Sequence, residues 1–76
     1  MLLLEEELSH PTQASRVRLR VFEQDGGFLV TEERIGTTTV FKTLGLFDAR
    51  PAAEARQRAR VDELSRQRYR RAPAAA

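Results

Sequence analysis

Near one end of the chain, Arg66, Arg68, Arg70 and Arg71 bracket a single aromatic residue, Tyr69. A guanidinium is a planar fork of donors that fits a phosphate or carboxylate with two parallel hydrogen bonds. An aromatic ring set among such groups can stack on a nucleobase or lie beneath a guanidinium. A second basic row, Arg16, Arg18 and Arg20, alternates with Val17, Leu19 and Val21, and Arg34 lies near its far end. Each group also has a plainer reading. The strand row can pair with Glu32 and Glu33, and the later cluster can be a solvated helix face in an arginine-rich composition.

Little else in the sequence has the makings of a reactive site. His10 is the only histidine, and it precedes Pro11 with no placed nucleophile or carboxylate partner. The adjacent acids Glu32-Glu33 point to opposite sides of a strand, and Asp62-Glu63 diverge by about 100° on a helix, so neither forms an acid/base couple. Gly26-Gly27 lacks the framework of a phosphate loop and reads as a hairpin turn. With one histidine and no cysteine, four N/S ligands for a structural zinc are not available. The reading is a non-enzymatic chain with no metal, no cofactor and no small-molecule substrate.

The elements that position the arginines follow from periodicity. Residues 16–23 alternate strictly, the period of a half-buried strand. Asp25-Gly26 is the strongest short hairpin signal, and a two-residue loop there sets Val21 opposite Val30, Phe22 opposite Leu29 and Arg18 opposite Glu33. Phe28 to Glu33 forms the second strand, Arg34-Ile35-Gly36 the turn, and Thr37 to Thr43 a third strand ended by Gly45. Asp48 offers an N-cap and Pro51 suits a first turn, so a helix is expected from Ala49 to Arg71, stopped by Pro73. Its apolar stripe is thin. Ala52, Ala55 and Ala59 are expected to pack its first half on the sheet, leaving the second half projecting. Residues 1–15 read as an arm in which Leu2, Leu3, Leu4 and Leu8 form a helical turn or a short strand, and residues 72–76 as a disordered tail. The fold class is α+β: a small three-stranded antiparallel meander followed by one C-terminal helix. Such a sheet has two open edges, to be covered by the arm, the helix or a second chain.

Seventy-six residues make one domain near the lower size limit for independent folding. No cysteine supplements the core, which is consistent with a reducing compartment. The apolar start is cut short by Glu5-Glu6-Glu7, too soon for a signal peptide or a membrane span of roughly 20 residues; a cytoplasmic protein is expected. The net charge of +2 hides an asymmetry. Residues 1–33 hold seven acids against three arginines, a balance of −4, while residues 50–71 hold eight arginines against three acids, a balance of +5. A basic C-terminal third is the usual footprint of a polyanion partner.

From Ser15 onward the order of features resembles the WGR domain, the small sheet-plus-helix module of DNA-dependent poly(ADP-ribose) polymerases that also occurs in bacterial regulator-like proteins. The resemblance lies in the run Leu19 to Val30 with its Asp25-Gly26-Gly27 turn, in Arg34-Ile35-Gly36, in Phe47-Asp48, in an alanine at Ala53 or Ala55, and in the late Arg68 and Tyr69. It covers roughly residues 16–71 and implies a β-β-β-α module. In the family the second strand ends at Trp-Gly-Arg, and the tryptophan and arginine contact DNA at a break. Here Glu32-Glu33 stand in place of Trp-Gly, which removes the stacking group and sets two carboxylates where phosphate would approach. Only Arg34 carries over as a DNA contact.

Two functions are consistent with these residues. One is a WGR-like module that contacts nucleic acid, mainly phosphate, through Arg34, Arg66, Arg68, Tyr69, Arg70 and Arg71. The other is a protein-interaction or self-assembly module that uses the leucine arm, an open sheet edge and the helix.

Overall fold

The structure, a computed structural model, describes residues 1–71. Five strands and one helix follow in the order β1 (Leu2–Ser9), β2 (Arg16–Gln24), β3 (Gly27–Ile35), β4 (Val40–Phe47), α1 (Arg50–Arg66) and β5 (Arg70–Arg71). The strands form one antiparallel sheet in the order β4-β3-β2-β1-β5, with α1 packed on one face. The α+β class holds, but the sheet has five strands rather than three.

The hairpin fixes the register. Asp25 and Gly26 both adopt positive φ, 51° and 78°, as a two-residue turn matched to strand twist requires. Val21 pairs with Val30, Phe22 with Leu29 and Arg18 with Glu33, as the expected loop dictates. The same pairing sets Leu19 opposite Glu32 and Val17 opposite Arg34. Glu32 and Arg34 therefore share the helix-covered face with the valines and leucine of β2.

The largest departure from expectation is at the N-terminus. Residues 2–9 are no loose arm: they form β1, seated between β2 and β5. The block pattern of three leucines and three glutamates hides a strand because it lacks visible alternation. Alternation turns Leu4 and Leu8 to the core, while a register shift between Leu2 and Leu4 leaves Leu2 on the open face opposite Phe22. Glu5 and Glu7 turn to the open face, opposite Arg20 and Arg18. Leu8 is completely buried, with Val17, Leu19, Val61, Leu64 and Tyr69. The leucine segment thus covers the edge of β2 within its own chain and is not available as an arm for a partner.

The expected third strand begins later and runs further, from Val40 to Phe47. Gly45 does not end it. The pairing with β3 slips by one residue between Val30 and Thr31, and a Cβ at Gly45 would come within 2.8 Å of the Phe47 ring. Glycine gives Phe47 room beside the bulge.

The helix also differs at both ends. Asp48 is not its cap: Ala49 occupies that position in an extended conformation, with no side-chain cap bond. Its buried stripe is Ala53, Gln57, Val61 and Leu64, which runs its whole length, while Ala52, Ala55 and Ala59 face solvent. A polar residue in the middle of the stripe conceals the period from a reading of apolar residues alone. At the far end, the Gln67 N–H donates to the Leu64 carbonyl (2.9 Å), the Arg68 N–H to Ser65 (3.1 Å), and the Tyr69 N–H again to Leu64 (3.0 Å). Arg68 takes a left-handed φ of 73°. This is a Schellman stop, with Tyr69 and Leu64 supplying its apolar contact. The helix ends at Arg66, five residues before the expected boundary, because the turn drops the Tyr69 ring into the core. The expected tail, residues 72–76, lies outside the described residues.

Candidate nucleic-acid interface

The strand arginines are occupied on the open face of the sheet. Arg16 donates to Glu7 at 2.8 Å and Arg18 to Glu33 at 3.2 Å. Glu5 lies between Arg18 and Arg20, 3.5 and 3.4 Å from their Nε atoms, close enough for charge attraction but without an aligned hydrogen bond. Two of the three acids belong to β1, so the folded strand order, rather than Glu32, neutralises this row.

Glu32 is turned the other way. Only 7% of its side chain is exposed, and it receives both arms of Arg60 from α1: Nε to Oε1, and Nη2 to Oε2 at 3.3 Å. Arg60 also reaches Glu63 at 2.9 Å. The hydrogen bond to Glu32 raises the pKa of Arg60 above the ordinary arginine value, outweighing the opposing effect of burial. Glu32 and Arg60 thus form a clamp between sheet and helix.

Tyr69 is 4% exposed, and its hydroxyl donates to Gln13 Oε1 at 3.2 Å. His10 stands edge-on to its ring at 5.1 Å, and Arg34 lies over it at 5.9 Å. A ring so enclosed cannot receive a base. It acts as a buried hub that holds Arg34 by a cation–π contact. Arg70 and Arg71 leave the helix altogether and form β5 against Ser9 and Leu8 of β1. Arg71 is 3.1 Å from Glu6, and Arg66 occupies the last turn of the helix.

The fold thus sorts the expected residues into two sets. Tyr69 and Arg71 are engaged internally. Arg34, Arg66, Arg68 and Arg70 have no carboxylate partner among the described residues, and all four lie at the end of the molecule marked by Tyr69. Of the four acids without an ion pair among the described residues, Glu23, Asp25 and Asp48 lie at the opposite end, beside the β2–β3 hairpin and the start of α1, while Asp62 lies one helical turn before Arg66. The separation follows from antiparallel topology: β3 and α1 both run from the hairpin end to the Tyr69 end. Linear charge counting locates a basic third of the chain, but not which arginines remain unpaired after folding.

Arginine stays protonated and has no acceptor, so these four groups can bind anions but cannot shuttle protons. The described residues contain no enclosed cavity and no group of three or more acids or histidines placed to hold a metal. No helix among them is long and apolar enough to cross a membrane. Compared with protein-family models, with curated proteins and with solved structures, the chain finds no match in any of the three.

Proposed function

We propose that this domain is a non-catalytic, WGR-like binding module that contacts nucleic acid through phosphate. The observation that carries this reading is the gathering of Arg34, Arg66, Arg68 and Arg70 at one end, none of them in an ion pair among the described residues and with Asp62 the one unpaired acid near them. Guanidinium forks favour phosphate oxygens, and the uncompensated acids at the opposite end orient the molecule as it approaches a polyanion. The resemblance around Asp25-Gly26-Gly27 and Arg34-Ile35-Gly36 supports the same reading, with Arg34 as the retained contact. The mode of contact departs from the family's. With Glu32 committed to Arg60 and Tyr69 inside the core, neither position offers a ring to stack on a base. Recognition is by backbone charge and carries little sequence preference.

Fluorescence anisotropy with short DNA and RNA duplexes and single strands tests this. Four phosphate contacts give a salt slope of about −3.6, so affinity falls on the order of 10²-fold between 50 and 200 mM salt. Replacing Arg66, Arg68 and Arg70 together by Gln removes most of that slope, whereas Arg71→Gln leaves it largely intact. Absence of binding to every probe at low salt would overturn the proposal.

A further inference from the structure

The sheet has two outer strands, the two-residue β5 and the eight-residue β4. Long open edges are normally blunted by charge, proline, bulges or brevity, because their free N–H and C=O groups are a template for another strand. β4 has no proline, one charge, Lys42, and a single bulge at its centre. It also carries Val40, Phe41 and Leu46, three of the five large apolar side chains left exposed among the described residues. Leu46 ends a cross-strand row of apolar side chains on the open face, running Leu2, Phe22, Leu29, Leu46.

Outside its central bulge, where Thr43 lies on the open side and Leu44 packs into the core, the strand's pattern reads alike in both directions about the point between Thr43 and Leu44. Phe41 and Leu46 face the open side, opposite Glu33 and Leu29, while Val40 and Phe47 face the helix side, opposite Arg34 and Phe28. The slip at the bulge is what brings Phe41 and Leu46, five positions apart, to the same face. We propose that a second copy of this chain pairs antiparallel along β4, with its dyad between Thr43 and Leu44, joining the two sheets edge to edge. Phe41 of each copy then meets Leu46 of the other, and Val40 meets Phe47. Lys42 falls opposite Gly45, so the only charges on the edge do not confront each other. Such a self-complementary edge suits an isologous dimer, in which one patch serves both sides. An unrelated strand would have to reproduce this arrangement.

Sedimentation equilibrium of the full chain should give a mass twice that of the monomer. The double variant Phe41→Lys, Leu46→Lys should give the monomer mass with an unchanged circular dichroism spectrum, since both positions are exposed. The chain has no cysteine, so Thr43→Cys should form a disulfide-linked dimer on mild oxidation, while Thr12→Cys should not. A wild-type chain that sediments as a monomer overturns the proposal, whatever else the edge binds. So does a dimer that survives the double lysine variant, or one in which Thr43→Cys fails to cross-link. The Arg66, Arg68 and Arg70 to Gln variant should keep the dimer mass, which separates this interface from the basic end.

Discussion

Glu32, the first acid of the Glu32-Glu33 pair in β3, accepts two hydrogen bonds from Arg60, 28 positions later on α1, and so ties the sheet to the helix that covers it. Hydrogen bonds to charged groups contribute about 1.5–3 kcal/mol, and breaking a nearly buried pair leaves the remaining charge poorly solvated. Arg60 keeps Glu63 and some contact with water, which softens the loss. Glu32→Ala should therefore cost about 2 kcal/mol and Glu32→Gln about half that. Urea melts check both, and the double variant Glu32→Gln, Arg60→Met should recover part of the loss.

Arg68 offers a way to separate fold from binding. Its left-handed φ closes the Schellman stop, a position where glycine is ordinarily preferred. Arg68→Gly should raise stability by roughly 0.5–1 kcal/mol by removing backbone strain. In a domain of this size, 1 kcal/mol corresponds to about 4–8 °C in Tm. The same substitution should weaken nucleic-acid binding, because it deletes one of the four unpaired arginines at the Tyr69 end. A more stable but weaker-binding protein is the expected result, read by thermal melting and anisotropy.

Tyr69 should behave as a core residue. Tyr69→Phe loses only the hydroxyl bond to Gln13 and should cost about 1 kcal/mol, with nucleic-acid affinity unchanged. Tyr69→Ala removes the apolar contact of the helix stop and should cost about 3–5 kcal/mol, enough to unfold much of so small a domain. Equal loss of binding in both variants, with the fold intact in Tyr69→Phe, would assign the hydroxyl to the ligand instead.

The N-terminal strand is expected to be indispensable. Leu8→Ala should cost about 3–5 kcal/mol because a fully buried leucine leaves a cavity against Val17 and Leu64. Deleting residues 1–9 opens the edge of β2 and leaves Arg16, Arg18 and Arg20 with one acid in place of three. Loss of a cooperative thermal transition in the truncated chain is the measurable consequence.

Gln57 is the polar member of the helix's buried stripe, and its amide nitrogen finds no acceptor. A buried donor without a partner costs about 1–3 kcal/mol. Gln57→Met keeps the volume and should stabilise the protein by about 1 kcal/mol, visible as a higher midpoint in urea.

Local chemistry made part of this molecule legible in one dimension. The alternation of Arg16 to Glu23 and the Asp25-Gly26 turn specify a hairpin and its register, because a one-residue slip would reverse every side chain. The helix-forming run after Pro51 specifies α1. The helix end was not legible, since a left-handed arginine gives no sequence signal and the buried tyrosine that rewards it is a tertiary contact. Nor was β1, whose leucine and glutamate blocks become a strand only beside the arginine row of β2. Which arginines remain unpaired also depends on strand order, because β1 brings Glu5 and Glu7 across from Arg20 and Arg18. The sequence by itself determined where the positive charge lies along the chain. Tertiary structure decided which of it is left over, because ion pairs form between neighbours in space and the chain reaches those neighbours only by folding.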